Sequence, residues 1–98
     1  MEKNTDKSIV IIGGFDRLAC RYKDICAECG FASKVFTKPK ANMHCLIGNP
    51  DLIVLITNPV SHEMTDIVRR KAMTDGITLI QSHRGSCSAL REVLSRGA

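Results

Sequence analysis

Ser8-Ile9-Val10-Ile11-Ile12-Gly13-Gly14 is a nearly unbroken β-branched run that stops on two glycines. A strand with one wet face alternates apolar and polar residues. A run apolar at every position instead fits a central strand covered on both faces, as in a parallel sheet. Asp51-Leu52-Ile53-Val54-Leu55-Ile56-Thr57 repeats the pattern, and the chain around these two runs shows helical spacing. Asp16 can cap a helix in which Leu18, Tyr22, Ile25 and Cys29 share a stripe, with Cys26 flanking it, Cys20 opposite and Gly30 as its stop. Ala32 to Phe36 reads as a shorter strand. After Pro39 a short helix carries Met43, Leu46 and Ile47 on one face and ends at Gly48-Asn49-Pro50. Ser61 can cap a long helix through Thr74, with Met64, Ile67, Val68 and Ala72 inward and Glu63, Asp66, Arg69 and Arg70 outward. Asp75-Gly76 closes it, Ile77 to Gln81 forms a fourth strand, and Ser86 can cap a last helix whose Leu90, Val93 and Leu94 face the sheet.

Strand and helix therefore alternate four times, which with short connections implies an α/β domain with a single four-stranded parallel sheet and helices on both faces. Right-handed crossovers leave few topologies. Placing the two most apolar strands at the centre gives the order 2-1-3-4, a half-Rossmann or flavodoxin-like sheet. Two strand edges then need protection, and a homodimer is one way to supply it.

A chain of 98 residues suits one domain with one core, with residues 1–7 read as a disordered tail. Its net charge of +4 is mild, and basic residues alternate with acidic ones along each helix, which argues against a nucleic-acid-binding arm. The polar N-terminus lacks the apolar stretch of a secretory signal and no run reaches membrane-spanning length, so a cytoplasmic protein with no membrane partner is expected. Five cysteines are an odd number for a disulfide framework and fit thiols in a reducing compartment.

In an open parallel sheet, ligands bind beyond the carboxyl ends of the strands, where strand order reverses; here that is between strands one and three. Strand one delivers Gly13, Gly14 and Arg17 to this edge, and strand three delivers Thr57, Asn58, Ser61 and His62. Strand four delivers Ser82-His83-Arg84-Gly85-Ser86-Cys87. Gly85 allows the backbone to curl, hydroxyls and amides can donate, and Arg84 can pair with phosphate or carboxylate, so this last turn reads as an anion cradle. The competing reading is a plain helix cap with Arg84 in solvent. Gly13-Gly14 lacks the full G-x-G-x-x-G and fits a tight turn better than a dinucleotide fingerprint.

His62 and His83 can act as acid, base or ligand, and with Cys87 they would make a His-His-Cys metal set, although the spacing matches no zinc motif. Cys26-Ala27-Glu28-Cys29 falls near a helix C-terminus, where the dipole opposes a thiolate, so core packing is favoured over a thioredoxin-like pair. His44-Cys45-Leu46-Ile47-Gly48-Asn49 lacks the arginine of a cysteine phosphatase loop, and Cys45 is expected to be exposed. Cys87, in the first turn of the last helix, is the thiol best placed to be acidic.

Ile11-Ile12-Gly13-Gly14 with Arg17 and Tyr22, then Asp51-Leu52-Ile53-Val54 leading to Thr57 and Ser61-His62, then Ser82-His83 before the last helix, resembles the small bacterial domain of unknown function 2325 over nearly the whole chain. The resemblance implies a cytoplasmic α/β domain and supplies no activity. The polar positions it implies are Gly13, Gly14, Arg17, Tyr22, Thr57, Ser61 and His62; it does not account for the cysteines. The expectation is a binding or regulatory module rather than an enzyme, holding a small anion such as a nucleotide or phosphorylated metabolite. The alternative is a thiol/histidine protein that binds a metal or haem or acts in redox chemistry. The first is carried by Gly13, Gly14, Arg17, Thr57, Ser61, His62, Ser82, His83, Arg84 and Ser86; the second by His62, His83 and Cys87, or by Cys26 and Cys29.

Overall fold

The computed structural model describes residues 7–58 and 62–97. Strands β1 (Lys7–Gly13), β2 (Phe31–Phe36), β3 (Leu52–Ile56) and β4 (Thr78–Ser82) alternate with helices α1 (Ala19–Glu28), α2 (Met43–Ile47), α3 (His62–Asp75) and α4 (Cys87–Gly97). All pairings are parallel and the order is β2-β1-β3-β4, as the two apolar runs require. Lys7, assigned above to the tail, opens β1 opposite Phe31. Residues 1–6 lie outside the described residues, as does the expected cap Ser61.

Side chains alternate across the sheet and divide the core in two. Ile9, Ile11, Leu52, Val54 and Ile56 point to one face, where Tyr22, Ile25 and Cys26 of α1 and Leu90, Val93 and Leu94 of α4 cover them. Val10, Ile12, Ile53 and Leu55 point to the other, under Met43 and Ile47 of α2 and Met64, Val68 and Ala72 of α3. Burial on both faces is why β1 and β3 read as continuous apolar runs. At the amino end of the sheet, Ser8 N–H donates to Asp51 Oδ2 (2.8 Å) and Asp51 N–H to the Ser8 carbonyl (3.0 Å), which fixes the β1–β3 register. Among the described residues no helix is long and apolar enough to cross a membrane.

Three local expectations are corrected. Asp16 does not cap α1. It opens a 3-10 turn (Asp16–Leu18), and its Oδ1 accepts from Thr37 Oγ1 at 2.7 Å, so α1 begins later. That helix ends at Glu28, leaving Cys29 exposed as the C-cap while Cys26 joins the core. In α2 only Met43 and Ile47, one turn apart, are buried. Leu46 faces outward, and its carbonyl accepts from Lys34 Nζ.

Candidate functional site

The carboxyl edge is organised by Tyr22. Its ring is fully buried in the first half of α1, and its hydroxyl accepts from Phe15 N–H (3.1 Å) while donating to the Gly85 carbonyl (2.5 Å). One phenol thus ties the β1–α1 turn to the β4–α4 turn across 63 positions of sequence. The adjoining glycines make room for it. A Cβ at Gly14, whose φ is +85°, would stand 2.7 Å from Tyr22 Oη, and one at Gly85 would stand 3.0 Å from Cε2 of Phe15. Gly13 also has a positive φ, +93°, and both glycines of the pair are buried. Gly14 after β1 and Gly85 after β4 therefore accommodate the protein's own aromatic side chains.

The polar residues form a rim around this tie. The Arg17 guanidinium lies 5.4 Å from the centroid of Phe15, the same ring that packs on Gly85, so Arg17 and the β4–α4 turn share one patch. Burial raises the Tyr22 hydroxyl above its ordinary 10.0, and Cys87 adds to that rise, whereas the hydrogen bond with Phe15 N–H and the Arg17 charge oppose it. Ser86 Oγ accepts from Ala89 N–H (3.2 Å), the cap expected for α4. Ser82 is buried and donates to the Arg84 carbonyl (2.9 Å), closing a tight loop that holds the Arg84 backbone with its side chain exposed.

Thr57 joins the third strand to this rim. Its N–H donates to the Ser82 carbonyl (2.8 Å), and its hydroxyl lies 3.5 Å from both that carbonyl and His83 Nδ1. Asn58 and His62 are exposed. Beside the rim, Gln81 to Arg84 and Ala89, Glu92 and Val93 enclose a recess of about 210 Å³. A larger groove of about 480 Å³ lies between α2 and α3, lined by His44, Ile67, Arg70, Lys71, Thr74 and Asp75, and no sequence pattern pointed to it because its walls come from two amphipathic helices.

The glycines, Arg17, Tyr22, Thr57 and the Ser82–His83 pair thus stand together around one edge, and a family model matches the chain over residues 8–96. The chain belongs to the DUF2325 family. That family is described as an uncharacterized protein conserved in bacteria. No curated protein and no solved structure matches the chain.

In this DUF2325 member the thiol and histidine residues are not assembled into a centre. Among the described residues no three His, Cys, Asp or Glu side chains are grouped to hold a metal, so His62, His83 and Cys87 do not form the set that their sequence positions allowed. Cys26 is buried, which pushes its thiol up to about 11 despite a hydrogen bond with Ser33. Cys29 is exposed beyond the helix end. A buried thiol raised in this way is not the acidic thiol of a redox motif. Cys20 and Cys45 are exposed, as their helical phase indicated. What sequence reading missed is the tie itself: Tyr22 was legible as a core residue, but a hydrogen bond to a carbonyl 63 positions away leaves no local signal.

Proposed function

We propose that the chain is a cytoplasmic binding or regulatory module, non-enzymatic, that holds a small anionic ligand such as a nucleotide or phosphorylated metabolite at the carboxyl edge, and that it works as a homodimer. The supporting observation is the patch on which Arg17, stacked over Phe15, and the Arg84–Ser86 turn meet around the Tyr22 tie. Arg17 and Arg84 come from the two turns that the tie joins, and the second of these turns leads into α4, whose first-turn N–H groups at Cys87 and Ser88 have no acceptor within the helix. Guanidinium pairs with phosphate through two parallel hydrogen bonds, which favours phosphoryl groups over smaller anions. Thr57, Ser82 and His83 flank the patch and supply further polar contacts, with His62 at the start of α3 as its outer limit. Gly13 and Gly14 contribute by shaping the turn.

Thermal unfolding in the presence of inorganic phosphate and of a nucleoside triphosphate tests this reading. A ligand at about one hundred times its Kd stabilises by about 2.7 kcal/mol, a rise of roughly 10 °C or more for a domain of this size. Arg17→Ala and Arg84→Ala should each reduce that rise. The proposal fails if no anion raises the Tm, or if both variants respond like the parent chain.

A further inference from the structure

The two edges of the sheet are unlike. On β2, Lys34 is exposed and its ammonium group bonds back to the Leu46 carbonyl, and Lys38 and Lys40 follow the strand; lysines of this kind discourage a second strand from pairing. Within β4 itself there is no such guard. Thr78-Leu79-Ile80-Gln81-Ser82 contains no charge, proline or glycine, and among the described residues nothing pairs with its outer side. Leu79 and Ile80 are only half-buried, while the apolar residues of β1 and β3 are fully covered.

The direction of the unpaired backbone groups follows from β3. Thr57 N–H donates to the Ser82 carbonyl, so Ser82 faces β3, and by alternation Leu79 and Gln81 turn their N–H and C=O outward. We propose that β4 pairs antiparallel with β4 of a second copy about a two-fold axis at Ile80, extending the sheet to eight strands; this rests on the homodimer reading above and assigns its surface. Leu79 then exchanges both hydrogen bonds with Gln81 of the partner subunit. The two Ile80 side chains meet as the closer, non-hydrogen-bonded pair. Charge complementarity favours a second copy of this chain. Asp75, the last residue of α3, precedes the strand at one end and His83 and Arg84 follow it at the other, so an antiparallel arrangement brings the basic residues toward the partner's acidic end. Asp75 already pairs with Lys71 at 2.7 Å, and Arg84 of the partner subunit would add a second cation.

Light-scattering mass measurement on the full chain over a wide concentration range tests the interface. The expected result is twice the chain mass of 10.8 kDa, with Gln81→Pro monomeric yet still cooperatively folded, because the N–H that proline removes faces away from β3. Arg84→Glu leaves the strand itself unchanged and keeps the test open if proline disturbs the fold. It should weaken association several-fold, and adding Asp75→Lys should restore it. A parent chain monomeric at every concentration overturns the homodimer reading along with this one. A dimer that survives both Gln81→Pro and Arg84→Glu overturns the β4 interface alone, and leaves dimerisation through another surface standing.

Discussion

Gly14 and Gly30 bracket the segment that contains α1, and their backbones are alike, with φ of +85° and +84°. Their surroundings are opposite. Around Gly30 no atom lies within 4 Å of where a Cβ would stand, whereas at Gly14 three atoms of Tyr22 lie within 3.0 Å of it. The first is an open helix terminus that asks only for a left-handed residue; the second is a close approach between a strand end and a buried ring. The difference teaches that a glycine after a parallel strand can serve the protein's own side chains. Under the function proposed above, anion binding at this edge would fall to the rim of arginines, hydroxyls and helix N-terminus outside the tie.

Substitution separates the two glycines most sharply. Gly14→Ala should destabilise by about 2–5 kcal/mol, the left-handed backbone costing about 1–2 kcal/mol and displacement of Tyr22 about 1–3 kcal/mol. Tyr22→Phe should cost about 2 kcal/mol, because it deprives the Gly85 carbonyl and the Phe15 N–H of their shared partner while leaving the ring in place. Gly30→Ala should cost about 1 kcal/mol, since only backbone strain applies there. Denaturant unfolding of the three variants checks the order, and equal losses at Gly14 and Gly30 would remove the distinction.

The pH dependence sharpens the same picture at smaller scale. Tyr22 and Cys26 are both held above their ordinary values of 10.0 and 9.0, chiefly by burial, so the folded state retains its protons longer than the unfolded chain does. Their contribution is fully present below about pH 9. That of Cys26 is lost as the pH rises through 9 toward about 11, and that of Tyr22 above pH 10. Unfolding free energy should therefore decline over this alkaline range, and Tyr22→Phe should flatten its upper part. A decline identical in Tyr22→Phe and the parent chain would show that the phenol is not titrating in its buried place.

Fold class, strand order and the residues gathered at the carboxyl edge were legible because they follow from periodicities of two and 3.6 residues and from the handedness of crossovers. Helix ends were less so. Cys29 fell on the stripe of Leu18, Tyr22 and Ile25 by phase, but the helix stops at Glu28, and phase has no meaning past the last turn. Leu46 looked inward because a five-residue helix offers too few positions to fix its buried face. Asp16 was read as a cap from its place after the strand, yet Thr37, 21 positions away, engages its carboxylate. At the site, the Ser86 cap was visible from local sequence, whereas the contact of Phe15 with Gly85 depends on two turns that only the assembled sheet brings together.

The account stands most directly on an amide NMR titration of the full chain with inorganic phosphate. It predicts saturable shifts at Phe15 to Leu18 and at Arg84 to Ser88, lost together in Arg84→Ala, with the α2–α3 groove around His44 and Arg70 unmoved. Shifts centred on that groove, or none at the Tyr22-tied turns, would contradict it.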